Sequence, residues 1–253
     1  MLTIEQYERL NPISHVEYDG RRMTFSTPNR IARARVDTIL SKEPCTIEWL
    51  TSFQPGEMMI DVGANVGMYT IWAAVTRNTK VIAFEPEAQN YALLNRNILN
   101  NNVQDRVRAY CIGLTDRSGL VGLHLANLIV GGSCHSVGEA LDFKHEPLKS
   151  VYEQGCVAFA LDDLVSSGGV PVPDHIKIDV DGFEPKVFAG ARTTLQQPTV
   201  KSLLIEINLN LADHREIVAE LTALGFRLDP DQVRKATRTE GPFKGVAEHV
   251  FRR

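Results

Sequence analysis

The sequence predicts an α/β protein whose core is one doubly wound, mostly parallel β-sheet. From Glu57 onward, short β-rich runs alternate with runs of helical period, which is typical of βαβ units. A glycine turn follows the first of these strands and leads into the first helix. The 253 residues, of which 43% are apolar, are enough to bury one sizeable core. We therefore expect one principal domain.

The expected elements follow in a regular order after residue 57. Strands are expected at 58–62, 80–84, 107–112, 175–180 and 200–207, and helices at 67–77, 87–101, 184–195 and 213–224. Pro86 stands where proline favours the start of the second helix. A last pair, 225–228 and 246–251, is expected to form an antiparallel ribbon at the C-terminal sheet edge. This makes seven strands, with the ligand expected at their carboxyl ends.

Two segments do not follow this order. Residues 1–54 contain an amphipathic stretch, 31–53, and are interpreted as a helical or mixed cap that precedes the main domain at 55–253. Residues 118–154 have several glycines and no clear period, so we expect an irregular segment there that recognises the substrate. The cap also carries an arginine cluster, which predicts a solvated basic face, with contact to an anionic substrate as the alternative. The cluster consists of Arg21, Arg22, Arg30, Arg33 and Arg35.

Composition and charge narrow the classes of partner. The net charge of −4 gives no overall attraction to nucleic acid or to anionic membrane surfaces, so neither is expected as a partner. The N-terminal residues do not resemble a signal peptide, and no apolar run approaches the roughly 20 residues that span a bilayer. The four cysteines are widely spaced without a C-x-x-C pair, as in reduced proteins. The sequence therefore predicts a cytoplasmic protein that acts on a small molecule.

The strongest local motif is MIDVGANVGMYT at residues 59–70, in which a strand ends near Asp61 and a turn with Gly63 and Gly67 leads into a helix. Glycines let the backbone approach a ligand closely, and the acidic side chain can hold an ammonium group. The spacing is G-x-x-x-G, whereas a dinucleotide pyrophosphate requires G-x-G-x-x-G. The turn therefore favours S-adenosylmethionine, which has a carboxylate and an ammonium group but no phosphate.

The second motif is VIAFEPE, which places Glu85 at the end of the next strand. An acidic residue about 20 residues after the glycine turn can accept hydrogen bonds from ribose hydroxyls. Taken alone, this pair of motifs also occurs in NAD-binding folds. The two motifs are also compatible with a glycine turn and a surface glutamate that bind no ligand.

The third motif is IKIDVDGFEPKVFAGA at residues 176–191. Lys177, Asp179 and Asp181 share one face of the expected strand. Ionisable groups on an apolar strand are costly unless they are paired or used. Two interpretations stay open: a buried ion pair, and a catalytic or substrate-binding cluster at the strand end.

Five segments in the same order resemble the FkbM-type family of S-adenosylmethionine-dependent methyltransferases over residues 58–227. They are DVGANVGMYT, FEPE, LDDLV at 161–165, IKIDVDGFEPKVFAGA and LLIEIN at 203–208. The resemblance implies a Rossmann-like class I methyltransferase fold and the transfer of a methyl group to a hydroxyl of a sugar or a natural product. It also implies the site residues: Asp61, Gly63, Asn65 and Gly67 at the methionine end of the cofactor, Glu85 at its ribose, and Asp179 facing the transfer site.

The chain departs from the family pattern at two positions. Asp181 stands where glutamate is more common after IKIDV, and Ala160 stands where threonine often precedes LDDL. Neither departure removes the expected cofactor site, and both concern the contacts to the acceptor.

Asp179, Asp181 and His135 are the candidate catalytic residues. Asp179 is the first candidate for a general base because it ends a strand beside the expected cofactor. His124, His135 and His145 are alternatives because histidine titrates near neutral pH. A Mg²⁺ site is left open; its candidate ligands are Asp179, Asp181, Glu206 and Asn208.

Two other functions stay open at this point. An NAD-dependent oxidoreductase shares the sheet and the acidic residue but requires a different glycine turn. A non-catalytic module that binds S-adenosylmethionine shares the whole cofactor site. Such a module would form no S-adenosylhomocysteine with any acceptor.

Overall fold

The computed structural model describes residues 2–253, which form two sheets and an N-terminal hairpin. None of the described helices is long and apolar enough to cross a membrane. The helices are α1 (Ile4–Glu8), α2 (Arg30–Lys42), α3 (Pro44–Thr51), α4 (Met68–Arg77), α5 (Ala88–Asn100), α6 (Leu161–Ser166), α7 (Glu184–Ala189), α8 (Arg192–Leu195), α9 (Ala212–Ala223) and α10 (Pro230–Ala236). The strands are β1 (Ile13–Tyr18), β2 (Arg21–Ser26), β3 (Met58–Val62), β4 (Lys80–Phe84), β5 (Val107–Tyr110), β6 (Gly113–Leu114), β7 (Gly119–Leu125), β8 (Ser136–Val137), β9 (Tyr152–Phe159), β10 (His175–Ile178), β11 (Ser202–Asn208), β12 (Arg227–Leu228) and β13 (Val246–Arg252).

The large sheet has the strand order β12-β13-β11-β10-β3-β4-β5. Strands β3, β4, β5, β10 and β11 are parallel, and β13 runs antiparallel to both β11 and β12. This confirms the predicted Rossmann-like class I methyltransferase fold, with a mostly parallel seven-stranded sheet and an antiparallel C-terminal edge. The two-residue strand β12 lies outermost.

Helices cover both faces of the large sheet. Alternate residues of each strand point to opposite faces, so each strand contributes to both layers. Met59 of β3 packs in an apolar cluster with side chains from α2, α3, α4 and α5. Ile60 and Val62 pack in a second cluster with side chains from α6, α7, α8 and α9. A sheet buried on both faces explains the nearly continuous apolar runs of its central strands.

The N-terminal segment packs on the same face of the large sheet as α4 and α5. After α1 it consists of the β1–β2 hairpin followed by α2 and α3, so the amphipathic stretch 31–53 is mostly helical as expected. The hairpin is joined to α5 by a hydrogen bond of 2.8 Å from the Ser26 amide to Asn97 Oδ1. Trp49 of α3 donates from Nε1 to Ser202 Oγ on β11 at 2.7 Å. The predicted cap therefore shares one core with the sheet.

The expectation of an irregular segment at 118–154 was wrong for its two ends. Strand β7 pairs antiparallel with β9 over seven residues, and together with β6 and β8 they form a four-stranded sheet. Gly119 and Gly122 lower the apparent β-propensity of β7, and only two of its residues are buried, Leu123 and Leu125. Residues 126–151 have no strand longer than the two-residue β8.

The predicted helix at 184–195 is divided into α7 and α8. Gly190 lies at the division, where a side chain could not be accommodated: a Cβ atom there would lie 2.1 Å from the Thr115 carbonyl oxygen. The two short helices therefore run close under the chain that leaves β6.

Trp49→Ala is expected to lower the free energy of unfolding by about 3–5 kcal/mol, because it removes a fully buried indole and its hydrogen bond to Ser202. Urea denaturation measures this change. Glu48→Ala, exposed on the same helix, is the control and should change stability by less than about 0.5 kcal/mol. A shared core predicts one cooperative transition. A separate early transition for the N-terminal segment would contradict this prediction.

Candidate active site

The glycine turn between β3 and α4 is held by hydrogen bonds within the protein. Gly63, Asn65 and Gly67 all have positive φ angles, of 78°, 51° and 84°. Gly63 admits no side chain, because a Cβ atom there would lie 2.0 Å from the Asp179 carbonyl oxygen. The amides of residues 63–67 all have acceptors: Phe84 O for Gly63 and Ala64, Glu85 Oε2 for Asn65, Asn65 Oδ1 for Val66, and Ala64 O for Gly67. The turn is therefore rigid and leaves none of these amides for a pyrophosphate.

Glu85 lies directly after β4 and is almost fully buried. Its two carboxylate oxygens accept hydrogen bonds from the amides of Asn65, at 2.8 Å, and Glu87, at 2.9 Å. Burial raises the pKa of Glu85 to about 7, although these two hydrogen bonds oppose the shift. The carboxylate keeps lone pairs for further donors. It lines the larger of two cavities that meet beside the turn.

The larger cavity, which we call cavity A, spans about 670 Å³, including the space at its mouth that is open to solvent. It lies over the carboxyl ends of β3, β4 and β10. Its walls are partly apolar, with Phe84, Pro86, Ile112, Leu114 and Val137. Its polar side chains include Asn65, Glu85, Asn90, His135, Asp179 and Asp181. An apolar chamber with an acidic group at one side suits a flat heterocycle joined to a ribose.

The second cavity, cavity B, spans about 500 Å³, including space open to solvent, and lies between α2 and the start of α4. Three of its residues, Gly63, Asn65 and Asp179, also line cavity A. Most of its walls are charged or polar: Arg35, Thr38, Lys42 and Glu43 from the N-terminal segment, and Asp61, Tyr69 and Lys177 from the sheet and α4. The two cavities together offer one elongated site for a ligand with one apolar and one charged end.

A buried ionic cluster forms the floor of cavity B. Lys177, 2% exposed, donates to Asp179 Oδ2 at 2.7 Å and lies over the ring of Tyr69. Burial would lower the pKa of Lys177, but the charges of Asp179 and Asp61 outweigh it and raise the pKa. Asp61 accepts from Thr70 Oγ1 at 2.5 Å, whereas its buried Oδ1 has no hydrogen-bond partner among residues 2–253. Burial raises the pKa of Asp61, against the charge of Lys177.

Asp179 and Asp181 lie at the same end of β10 and have opposite pKa shifts. Burial would raise the pKa of Asp179, but the ion pair with Lys177 holds it below its ordinary value. The pKa of Asp181 is raised, first by burial and then by the charge of Asp179. Asp181 accepts hydrogen bonds from the Cys134 amide at 2.7 Å and from Cys134 Sγ at 3.9 Å. Two carboxylates with pKa values pushed apart are suited to different tasks in one reaction.

His135 lines cavity A, as a candidate catalytic residue should, but its geometry does not suit a base. The Ala126 amide donates to His135 Nδ1 at 3.2 Å, so the neutral ring carries its proton on Nε2 and acts there as a donor. Burial also lowers the pKa of His135. His124 and His145 line neither cavity.

The structure partly assembles the proposed Mg²⁺ ligands. Oxygen atoms of Asp179, Glu184 and Glu206 lie within 4.8 Å of one another, while Asp181 and Asn208 do not belong to this group. Glu184 accepts from the amides of Val180 and Gly182. Glu206 forms an ion pair of 2.7 Å with Arg238. Because both glutamates already have donors, a metal requirement does not follow from the arrangement.

The sequence-predicted cofactor residues are distributed around the two cavities with one exception. Gly67 lines neither cavity. A Cβ atom there would lie 2.3 Å from Leu94 Cδ1, so this glycine allows α4 to pack against α5. The wall that the N-terminal segment contributes to cavity B was not predicted. Only the alternative interpretation of the arginine cluster, contact with an anion, pointed toward it.

The sequence matches the family described as the Methyltransferase FkbM domain over residues 61–228, which is more than half of the chain. It is also similar to 31-O-demethyl-FK506 methyltransferase FkbM from Streptomyces tacrolimicus, with 25% identity over 209 residues that cover 74% of this chain and 79% of that protein.

Two further relatives have comparable identity. Hexuronic acid methyltransferase AglP from Haloferax volcanii is 26% identical over 159 residues, 63% of this chain and 59% of that protein. The 2-O-methyltransferase NoeI from Sinorhizobium fredii is 26% identical over 152 residues, 56% of this chain and 60% of that protein. The chain thus matches most of the first relative's length and less than two thirds of the other two.

Gly63→Ala is expected to destabilise the protein by about 3 kcal/mol or more, because strain at positive φ adds to the clash with the Asp179 carbonyl. Gly56→Ala is the matched control: its φ is +87°, but no atom lies within 4 Å of its added Cβ. It should cost only about 1–2 kcal/mol. Urea denaturation compares the two. Equal losses would show that the close approach to Asp179 does not require glycine.

Proposed function

The chain belongs to the FkbM methyltransferase family, and on this premise we propose that it transfers the methyl group of S-adenosylmethionine to a hydroxyl of a small, hydroxyl-rich acceptor. The observation that carries the proposal is the pair of cavities that meet at Gly63 and Asp179. Their chemistry matches a cofactor with a neutral nucleoside at one end and an amino acid at the other.

We assign cavity A to the adenosine and cavity B to the methionine moiety. Glu85 would accept hydrogen bonds from the ribose hydroxyls, and the apolar walls of cavity A would contact the adenine. Asp61 Oδ1, buried and without a partner among the described residues, fits an ammonium group. The sulfonium would then lie where the cavities meet, beside Asp179. The family resemblance likewise implies that Asp179 faces the site of methyl transfer.

The acceptor class is supported by the names of the relatives. Two of them name an O-methyl position, and a third names a hexuronic acid. A free or glycosidic hydroxyl on a small molecule is therefore the proposed nucleophile. No nucleic acid is proposed, since the net charge is −4.

The catalytic roles follow from the two pKa shifts. S-Adenosylmethionine supplies an electrophilic methyl group on its sulfonium. Asp179, kept ionised by Lys177, accepts a hydrogen bond from a hydroxyl next to the reacting one and so orients the acceptor toward that methyl. Asp181, whose raised pKa makes it the better base, takes the proton of the reacting hydroxyl as the oxygen–carbon bond forms and the carbon–sulfur bond breaks, which leaves S-adenosylhomocysteine. His135 contributes a donor from Nε2 rather than a base.

We propose a division into a cap, residues 1–54, and a methyltransferase domain, residues 55–253. The cap supplies one wall of cavity B through Arg35, Thr38, Lys42 and Glu43. The methionine site is thus incomplete without it. The cap is part of the cofactor site as well as of the core.

Release of S-adenosylhomocysteine in the presence of a panel of hydroxylated acceptors, such as glycosides, uronic acids and macrolide alcohols, tests the proposal. A non-catalytic module would bind the cofactor and release no product with any acceptor. An NAD-dependent oxidoreductase would bind NAD instead, although the turn has no amide left among residues 63–67 for its pyrophosphate.

The affinity for S-adenosylhomocysteine is expected to rise about tenfold from about pH 6 to about pH 8. The reason is that Glu85, with a pKa of about 7, is protonated below that pH and ionised above it, and the ionised form accepts the ribose hydroxyls better. Calorimetric titration measures the change. Glu85→Gln should bind more weakly at the upper pH and lose the pH dependence.

Glu248→Gln is the control for this pH dependence, since burial raises the pKa of Glu248 to about 7 as well, but it lines neither cavity A nor cavity B. This variant should keep the dependence of the wild type. If it loses the dependence while Glu85→Gln keeps it, the assignment of Glu85 to the ribose is wrong.

Because only the ionised form of Asp181 can take the proton, and its pKa is raised, kcat of the wild type is expected to rise with pH. Asp181→Asn is expected to remove this rise and to lower kcat by about 10²–10⁴-fold, because it removes the base. Binding of S-adenosylhomocysteine should persist. Asp179→Asn should instead raise KM for the acceptor and lower kcat while the rise with pH remains. Steady-state kinetics over a pH series separates the two. The opposite pattern would assign the base to Asp179.

A further inference from the structure

We propose that Arg35, in helix α2 of the cap, binds the carboxylate of the cofactor's methionine moiety in cavity B. This inference rests on the proposed function, since it requires S-adenosylmethionine or S-adenosylhomocysteine in the site. Arg35 precedes the family match, which begins at residue 61. It also lies outside every motif that predicted a cofactor contact from the sequence.

The first observation is the distinct environment of Arg35 within the arginine cluster. Arg21 donates to the Val75 carbonyl oxygen, and Arg22 and Arg33 form exposed ion pairs with Glu17 and Asp37. Arg35 donates from Nε to the Gly131 carbonyl oxygen at 2.7 Å and is the arginine of this group that lines a cavity. Its two terminal nitrogens have no partner among residues 2–253.

The second observation concerns the other cations of cavity B, which already have anionic partners. Lys177 forms an ion pair with Asp179 at 2.7 Å. Lys42 forms an ion pair with Glu43 at 2.8 Å, and its side chain is 56% exposed. Arg35 is therefore the cation in this cavity that has no carboxylate partner among the described residues. An arginine with two unused terminal nitrogens matches the two oxygens of a carboxylate.

The third observation is that the glycine turn does not offer its own amides. The amides of residues 63–67 are all bonded within the protein, so a carboxylate over the turn requires a donor from elsewhere. The positive end of the α4 dipole faces the same cavity, where Met68 and Tyr69 line its wall, and favours an anion there. Arg35 adds the full charge that the dipole lacks.

The fourth observation is the complementary charge in the same small cavity. Asp61 Oδ1 is buried without a hydrogen-bond partner among residues 2–253. Asp61 and Arg35 both line cavity B, and the unpartnered oxygen of Asp61 and the two terminal nitrogens of Arg35, which have no partner among the described residues, match the ammonium and the carboxylate of an α-amino acid. The two groups together recognise a zwitterion rather than a simple anion.

Calorimetric titration with two ligands tests the proposal. S-Adenosylhomocysteine carries the amino-acid end, and 5′-methylthioadenosine lacks it. Arg35→Gln is expected to weaken binding of S-adenosylhomocysteine by about tenfold to a hundredfold, as for a lost charged hydrogen bond. Its affinity for 5′-methylthioadenosine should stay that of the wild type. Arg35→Lys should restore part of the loss.

Arg33→Gln is the matched control, since it removes the same charge from an exposed position of the same helix. It should leave both affinities unchanged. Equal weakening of both ligands by Arg35→Gln would assign Arg35 a structural role through Gly131 and would overturn the proposal. An unchanged affinity for S-adenosylhomocysteine with a raised acceptor KM would overturn it too, in favour of an acceptor contact. If the wild type binds neither ligand, the proposed function fails, and this inference fails with it.

Discussion

The site is organised around one buried lysine. Lys177 lies opposite Asp61 in the parallel pairing of β10 with β3, and its ammonium group reaches Asp179 two residues further along its own strand. A cation that is 2% exposed is tolerated only where carboxylates surround it. The pairing keeps Asp179 ionised at the point where the two cavities meet, and it places Asp61 beside the start of α4. The proposed positions of the acceptor, beside Asp179, and of the ammonium group, beside Asp61, thus both depend on Lys177.

The same cluster explains why the N-terminal segment is part of the site. Glu43, buried at the start of α3, accepts a hydrogen bond from the Tyr69 hydroxyl at 2.7 Å, and Tyr69 covers Lys177. The cap is thereby connected to the floor of cavity B through polar contacts as well as through the apolar core around Trp49. Helix α2, which packs in that core and ends next to Glu43, can therefore present Arg35 in a fixed position.

Much of the fold and of the candidate site could be predicted from the sequence because the signals are local. The turn at Gly63 and the acidic Glu85 are each encoded in a few consecutive residues. The alternation of β-rich runs with helical runs predicted the large sheet. Lys177 and Asp179 form the buried ion pair of one interpretation of IKIDVDG. Asp179 also lines both cavities, and the other interpretation, a catalytic or substrate-binding cluster, stays a prediction. Strand β7 escaped prediction because its pairing with β9 is long-range and two of its residues are glycine.

The functional groups that could not be predicted are those whose surroundings come from distant chain segments. Arg35 meets cavity B only because α2 packs across the sheet ends, and no pattern around it distinguishes it from Arg33. Similarly, the choice of His135 as a base rested on its intrinsic pKa. The amide of Ala126, which the sequence pattern does not place beside it, donates to Nδ1 and so sets the tautomer of the neutral ring.

The internally bonded glycine turn also affects the thermodynamics of ligand capture. A loop that finds its hydrogen-bond partners only when a ligand arrives loses conformational entropy on binding, and the affinity falls accordingly. Here that ordering is part of folding, because the amides of residues 63–67 donate hydrogen bonds to Phe84, Ala64, Asn65 and Glu85 of the chain itself. The heat-capacity change of cofactor binding should then reflect the ligand surface that is covered, with little contribution from refolding of the turn.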